Sequence, residues 1–192
     1  MPNWCETTYI IEGKKETLSL IKDTIDGLLS GTYEPIKNSD NKWEGNILNV
    51  LGIPYNEARQ HLRGFVNESP RYVDGTLVVN AEEAWSITDF RKLLRKAFPD
   101  IKIHWFADEY GLDYHKTNDA DGKYLKTRFR VEICHNDTYY YEDCKTQKDM
   151  YKYISELLGI NGQEEIDAYN ELHEDDDNYI IIYRYDIINE KP

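Results

Sequence analysis

The sequence predicts an α+β fold on three observations. In the stretch 84–111, an amphipathic pattern typical of a helix is followed by Pro99 and then by the alternating pattern of a strand. Predicted helices and strands intermix without the regular alternation of parallel α/β folds. No internal repeat of fixed length occurs. Together these observations favour a largely antiparallel sheet with helices on one face.

The composition indicates a folded and strongly acidic protein. Hydrophobic residues make up 40% of the chain, and 36 acidic against 23 basic residues give a net charge of −13. This charge disfavours a general nucleic-acid surface, because affinity for phosphates comes mostly from Lys and Arg. Solubility is the simplest interpretation. The alternative is an acidic surface that imitates nucleic acid and occupies a basic partner.

Cysteine usage and hydropathy bear on the compartment. The three cysteines, Cys5, Cys134 and Cys144, are odd in number and form no C-x-x-C pair, and the N-terminus has no apolar signal region. A cytoplasmic protein with reduced thiols is therefore expected. No apolar run approaches the ~18 residues of a membrane span, so no membrane association is expected. No cofactor is expected either.

Short strands and helices are predicted to follow one another along the first 111 residues. Strands are predicted over 7–11, 76–79 and 101–106, and helices over 15–29, 55–65 and 86–97. Loops are predicted over 32–45 and 68–74, whereas the apolar segment 46–53 fits either a strand or a helix. These predictions rest on β-branched runs for the strands and on three-to-four spacing of apolar residues for the helices.

The stretch 84–111 is the most regular part of the sequence. Ser86 and Asp89 have the spacing of a capping box, in which a serine oxygen accepts a hydrogen bond from a free amide of the first helical turn. Trp105 is predicted to lie in the core of the following strand. An acidic turn over Asp108, Glu109, Tyr110 and Gly111 is the one segment here that is open as a functional site.

The remaining residues predict an addition to this unit. It comprises strands over 124–134 and 138–142 joined by an Asn136-Asp137 turn, helices beginning at Thr146 and over 162–173, and a last strand over 179–188. The order of elements fits a ferredoxin-like split βαβ plan. A single extended domain is predicted over 1–192, with a ferredoxin-like core at about 1–125 and a C-terminal extension of a hairpin, two helices and an edge strand at about 126–192. A second small domain is the alternative.

Several short motifs resemble a known family. They are the N-terminal Pro2, Asn3, Trp4 and Cys5, the pairs Trp85-Ser86 and Phe98-Pro99, and Gly122 in a polar turn. With the acidic turn at 108–111, they make the chain similar to the family with a YubB-like, ferredoxin-like domain, found on bacterial plasmids, phages and other mobile elements. The family has no assigned biochemical role. The resemblance therefore implies a fold and a genomic setting but no active site.

Three groups of polar residues could have formed metal or catalytic sites. They are Asn118, Asp119, Asp121 and Gly122 (a partial calcium loop), His104, His115 and His135 with nearby carboxylates, and Cys134, His135 and Cys144 (a partial zinc site). Each lacks the ligand spacing of a known site. These residues are instead predicted to form turns or to occupy ordinary surface or core positions. No metal-binding or catalytic residue is therefore assigned.

Two surfaces remain as interaction candidates. The acidic residues of the C-terminal part could form a docking or inhibitor-like surface; these are Asp167, Glu171, Glu174, Asp175, Asp176 and Asp177. The tryptophans Trp4, Trp85 and Trp105 are predicted to pack in the core, with base stacking as the alternative. A basic strand face of Lys126, Arg128 and Arg130 would support that alternative.

The hypothesis that follows is a non-enzymatic protein that acts by binding an unidentified protein partner. An acidic nucleic-acid mimic is the first alternative, and a single-stranded nucleic-acid binder with an aromatic sheet face is the second. Nucleic acid is the less favoured partner because of the net charge.

Overall fold

The computed structural model describes residues 3–174 and 176–192. Two of the predicted site residues, Pro2 and Asp175, lie outside this range. The described chain divides into two compact units, the first formed by residues up to 120 together with 187–192, and the second by 121–186. The boundary lies close to the predicted end of the core at about residue 125. The single extended domain stays a prediction.

The chain is α+β, as predicted. Its elements follow in the order β1 (Trp4–Glu12), α1 (Lys15–Leu29), α2 (Glu44–Val50), a 3-10 helix (Asn56–His61), β2 (Gly64–Phe65), β3 (Arg71–Val73), β4 (Thr76–Ala84), α3 (Phe90–Ala97), β5 (Lys102–Glu109), a second 3-10 helix (Tyr110–Leu112), β6 (Tyr114–Thr117), β7 (Phe129–His135), β8 (Thr138–Cys144), α4 (Gln147–Leu158), α5 (Gln163–Leu172), β9 (Tyr179–Arg184) and β10 (Asp186–Ile187).

The first unit is built on a sheet in which β6, β5, β1, β4 and β2 are neighbours in that order, with β3 also paired to β4. The pairs β1–β4, β1–β5, β2–β4, β3–β4 and β5–β6 are antiparallel. The last segment of the chain returns to this sheet, where the Ile188 N–H donates to the Thr117 carbonyl at 2.7 Å. Trp105 is buried in the middle of β5, as the sequence predicts.

The core of the first unit lies between one face of this sheet and three helices. Every second side chain of the three central strands is buried there, because successive strand residues point to opposite faces. The strand side chains are Cys5, Tyr9, Ile11, Leu77, Val79, Ala81, Ile103, Trp105 and Ala107. They pack against Leu18, Ile21, Ile25 and Leu28 of α1, Ile47 and Leu48 of α2, and Phe90 and Leu94 of α3.

The second unit has its own three-stranded sheet in the order β8, β7, β9. The β7–β8 hairpin turns at Asn136 and Asp137, which have φ of 51° and 60° as a two-residue hairpin turn requires. Helix α4 begins with Thr146, whose side chain accepts a hydrogen bond from the Asp149 amide, and ends at Gly159. The hairpin turn, this cap and this helix end confirm the sequence predictions.

Several predicted elements are wrong in extent. The helix predicted over 55–65 is a shorter 3-10 helix followed by β2, the loop over 68–74 contains β3, and the strand over 124–134 begins only at Phe129. The ambiguous segment 46–53 is largely helical, in α2, and the last strand divides into β9 and β10. Most of these differences involve strands of two to four residues, which are held by their neighbours and carry little local signal.

The predicted capping box before α3 is also wrong. The helix begins at Phe90, and Ser86 lies before it without capping it. Thr88 makes the local contact instead, since its Oγ1 accepts a hydrogen bond from the Phe90 amide at 3.3 Å. Four residues of irregular backbone, 86–89, therefore separate Trp85 from the helix.

Candidate functional site

Two tryptophans are exposed at the end of the first sheet where β1 begins and β4 ends. Trp4 and Trp85 are 44% and 49% exposed, so the predicted core position is wrong for both. The Trp4 ring meets the Phe65 ring edge to face at a centroid distance of 5.9 Å. The Arg63 guanidinium carbon lies 5.4 Å from the centre of the Trp85 ring. The four side chains thus form two contacts, one between aromatic rings and one between a ring and a cation.

The backbone of Trp85 is strained. Its φ of +65° lies in the left-handed region, whereas the other non-glycine residues with positive φ in the described ranges are all Asn or Asp. Such a conformation costs a bulky residue about 1–3 kcal/mol. It is held in place because the Trp85 amide donates to the Asn3 carbonyl at 2.8 Å. A strained and exposed tryptophan is better explained by binding than by packing.

A depression of about 660 Å³ lies on the same face of the sheet as Trp4 and Phe65. Its exposed lining is polar apart from one aromatic ring and comprises Glu6, Thr8, Asn67, Glu68, Arg71, Asn80, Glu82 and Phe106. We call these residues, with Trp4 and Phe65, the open face. The register places Glu6 opposite Glu82, and Glu82 opposite Phe65, so the three side chains share one face.

Hydrogen bonds fix the polar groups of the open face. The Asn67 side-chain amide donates to Glu82 at 2.6 Å, and the Asn80 amide donates to Glu68 at 2.6 Å. Thr8 in turn donates to the Asn80 side-chain oxygen at 3.0 Å. The lining holds three carboxylates and one guanidinium. Carboxylates beside aromatic rings form an environment that suits a cation.

Replacing Trp85 by glycine is expected to leave the stability of the first unit within about 1 kcal/mol of wild type. Glycine relieves the left-handed strain, and this gain offsets the loss of the ring's contact with Arg63. Urea unfolding followed by tryptophan fluorescence measures the change. A loss of several kcal/mol would show instead that the side chain is part of the core.

A second polar cluster is enclosed in the core of the first unit. Glu83 and Glu44 are both fully buried. Glu83 accepts hydrogen bonds from Thr7 (2.5 Å), Tyr9 (2.6 Å), and the amide and hydroxyl of Thr88 (2.9 and 2.7 Å). The Thr88 hydroxyl also lies 2.8 Å from Glu44. Burial, followed by the charge of Glu83, holds the pKa of Glu44 well above its usual range.

This cluster can store a proton, because only one of the two carboxyl groups can be ionised at acceptable cost. Burial also raises the pKa of the nearby Cys5 thiol to about 12, so Cys5 remains a neutral thiol. Both carboxyl groups are fully enclosed by protein. The arrangement therefore supports a structural role.

The residues of the predicted turn at 108–111 belong to two different elements of secondary structure. Asp108 and Glu109 end β5, while Tyr110 and Gly111 begin a 3-10 helix. Glu109 is buried, and its Oε1 accepts a hydrogen bond from the Gly111 amide at 3.0 Å. Asp108 lies 2.8 Å from His115 Nδ1. These contacts shape the turn, and its functional role stays a prediction.

The polar residues considered for metal or catalytic sites have separate partners. Asn118 extends the sheet, since its side chain accepts from the Trp105 amide and donates to the Ile103 carbonyl. His104 lies 2.9 Å from Glu12, and His135 in the second unit lies 2.8 Å from the Tyr169 hydroxyl. Within the described residues, no group of three or more His, Cys, Asp or Glu side chains could hold a metal ion.

The cysteines and several of the motif residues make structural contacts. Cys5, Cys134 and Cys144 are buried free thiols. Asn3 and Trp85 are joined by a backbone hydrogen bond, which brings the two parts of the motif together. The Phe98 amide donates to Leu94 at the end of α3, and Pro99 follows it. Gly122 adopts a φ of +67°, which favours glycine.

The predicted basic strand face is wrong. Lys126 and Arg128 precede β7, which begins at Phe129, and Arg130 forms an ion pair with Asp143 at 2.9 Å. The other face of that sheet is the one that packs on α4 and α5. The strand therefore lacks the row of cations that a phosphate backbone would need.

The predicted acidic surface is exposed on and after α5. Asp167 and Glu171 lie on the helix, and Glu174, Asp176 and Asp177 follow it, all with exposed side chains. A hydrogen bond with His173 lowers the pKa of Asp176, which keeps that carboxylate ionised. The second unit holds 16 acidic and 8 basic residues, so it carries −8 of the total charge of −13.

No family model, curated protein or solved structure matches the chain. Among the described residues, no helix is long and apolar enough to cross a membrane. We therefore infer the function from the residues of the open face and from the distribution of charge.

Sequence reasoning missed most of the open face and both buried carboxyl groups. One signal was available for Glu83, since continuing the alternation of Leu77, Val79 and Ala81 places it on the inward face. The position of Glu44 depends on a contact with Thr88, which is 44 residues away. The conformation of Trp85 had no local signal, because tryptophan disfavours positive φ.

Proposed function

We propose that this chain is a non-enzymatic protein that binds a basic segment of a partner protein on its open face. The observation that carries the proposal is the exposed Trp4, which lies on the same face of the sheet as a depression lined by Glu6, Glu68 and Glu82. Aromatic side chains at such a surface supply most of the contact energy, and the carboxylates select a cationic partner.

We also propose that the chain is of the YubB-like, ferredoxin-like type from a bacterial or phage mobile element, acting in the cytoplasm. Its support is the strand order β5, β1, β4, β3, with β1 antiparallel to both β4 and β5, which fits a split βαβ plan. Further support is that the family-like Asn3 and Trp85 are joined by a backbone hydrogen bond, and that Asn3 directly precedes Trp4 of the open face. The open face would then be the site that the motif builds.

Protein is favoured over nucleic acid as the partner because of the charges on the open face. A phosphate backbone would approach three carboxylates, with Arg71 itself 3.5 Å from Glu68. Each of those carboxylates repels phosphate, and Arg63 is the cation that lies over an exposed ring. A Lys or Arg side chain would instead gain attraction from the carboxylates and from the rings of Trp4, Phe65 and Phe106.

The test is the binding of fluorescent synthetic peptides of about ten residues, rich in arginine and lysine and too flexible to form strands. Anisotropy at low and moderate salt should show binding that weakens as salt is added. Trp4→Ala and the double change Glu6→Gln with Glu82→Gln should each weaken it by about tenfold. An acidic peptide of matched apolar content and a single-stranded oligonucleotide should not bind.

The matched control is the double change Glu16→Gln with Glu57→Gln, which alters the net charge equally at exposed positions away from the open face. Its affinity should equal that of wild type. If it loses as much affinity as the Glu6 and Glu82 variant, the attraction is a general effect of net charge. If Trp4→Ala binds like wild type, the open face is not the site.

The acidic decoy remains the alternative, because the second unit carries most of the negative charge. In that case the binding of a basic nucleic-acid-binding protein would depend on Asp167, Glu171 and Glu174. Changing these three to their amides would then abolish binding, while Trp4→Ala would have no effect. The two functions are therefore separated by one pair of variants.

A further inference from the structure

The second sheet ends on a strand with an uncovered backbone edge. β8 is the terminal strand of the order β8, β7, β9, and no other strand of the described chain pairs with its outer edge. The two-residue turn joins His135 to Thr138. The two residues that flank such a turn form a hydrogen-bonded pair. Antiparallel alternation then directs the N–H and C=O groups of Tyr139, Tyr141 and Asp143 away from β7.

A cleft of about 420 Å³ runs between this edge and helix α4. Residues 142–145 form one wall, and Asp149, Lys152, Tyr153 and Glu156 of α4 form the other. The lining holds four carboxylates and two ammonium groups, so it is negative. On the opposite face of the same strand, Tyr139 and Tyr141 are 58% and 61% exposed. The edge thus has an acidic cleft on one side and a tyrosine surface on the other.

We propose that β8 and α4 bind an extended segment of a partner protein, which joins the second sheet as a fourth strand. Its alternate side chains would point to opposite faces. Basic side chains at one set of positions would enter the cleft toward Glu142, Asp149 and Glu156. Apolar side chains at the other set would rest on Tyr139 and Tyr141. This site is independent of the open face, and neither proposal requires the other.

A basic partner is favoured over a second copy of this chain by the distribution of charge. Pairing β8 with itself would bring together two units that each carry a net charge of −8, with Glu142 and Asp143 at the contact. A segment with lysine or arginine at every second position would neutralise the cleft instead. Charge complementarity therefore identifies the occupant as a basic strand.

The probe is a synthetic peptide of about eight residues that alternates lysine with valine. Amide hydrogen exchange, measured with and without the peptide, should slow by at least tenfold at Tyr139, Tyr141 and Asp143. The key variant is Tyr141→Pro, which removes an N–H directed away from β7 and so leaves the hairpin hydrogen bonds intact. Its matched control is Tyr141→Ala, which removes the ring but keeps that N–H.

Tyr141→Pro is expected to bind the peptide at least tenfold more weakly than Tyr141→Ala. Glu142→Gln combined with Glu156→Gln should weaken binding and flatten its salt dependence. Equal affinity of the Pro and Ala variants would overturn the proposal, because the backbone of β8 would not be used. Protection of the same amides on raising the protein concentration alone would also overturn it, by showing that a second copy occupies the edge.

Discussion

Replacing Glu83 by alanine is expected to lower the unfolding free energy of the first unit by about 3–5 kcal/mol. Glu83 is fully buried and accepts hydrogen bonds from the hydroxyls of Thr7, Tyr9 and Thr88 and from the Thr88 amide. Alanine would leave the Thr7 and Tyr9 hydroxyls and the Thr88 amide without this acceptor in the buried core, and it would also leave a cavity. Most of the cost comes from the donors, since a buried group without a partner keeps its full desolvation penalty.

Urea unfolding followed by tryptophan fluorescence measures this change cleanly. All four tryptophans, Trp4, Trp43, Trp85 and Trp105, belong to the first unit, so the signal does not report the second unit. Glu83→Gln retains one acceptor oxygen and the side-chain volume, and it should lose less than half as much stability. It also keeps the prediction testable if the alanine variant does not fold.

Glu82→Ala is the matched control for Glu83→Ala. The two residues are adjacent on β4, but Glu82 points to the open face and is exposed. Its replacement should change stability by about 0.5 kcal/mol or less, as is usual for exposed positions. If Glu83→Ala were as mild as Glu82→Ala, the buried hydrogen bonds would not stabilise the unit.

The parts of the fold that the sequence predicts are those set by local chemistry. Helix α1 has the predicted bounds because its apolar residues repeat with helical spacing, and α4 has its cap because Thr146 precedes Asp149 by three residues. The hairpin turn at Asn136-Asp137 follows from two residues that tolerate positive φ.

The parts that local chemistry does not set were missed. Strands β2, β3 and β6 have two to four residues each and exist because neighbouring strands supply their hydrogen bonds. The open face combines residues from β1, β4, β5 and the segment 65–71, and only the register of the sheet brings them together. Trp85 adopts a positive φ, which tryptophan disfavours, so its backbone hydrogen bond with Asn3 overrides the local preference.

Stability is expected to fall as the pH rises through the mildly acidic range, because Glu44 keeps its proton in the folded state. Burial beside Glu83 raises the pKa of Glu44 well above the unfolded value of 4.5. Below that value, both states hold the proton and the group adds no pH dependence. Above it, the unfolded chain releases the proton and the folded chain does not. Unfolding therefore becomes easier by up to about 1.4 kcal/mol per pH unit, until the folded pKa is reached.

Glu44→Gln isolates this contribution, because glutamine is neutral in both states and fits the same space. The variant should resemble wild type near pH 4 and become progressively more stable than wild type toward neutral pH. The measurement is the difference in unfolding free energy between the two proteins, taken from urea titrations across that range. Ionisable groups far from the cluster are present in both proteins, so their pH dependence cancels in the difference.

Glu16→Gln provides the control for Glu44→Gln. Glu16 is exposed in the first turn of α1, so this variant makes the same replacement outside the core. A difference for Glu44→Gln that stays flat with pH would mean that Glu44 ionises in the folded core. The paired carboxyl groups would then have to share the Thr88 hydroxyl as two negative charges, at a cost of several kcal/mol. A rising difference, in contrast, shows that Glu44 keeps its proton in the folded core.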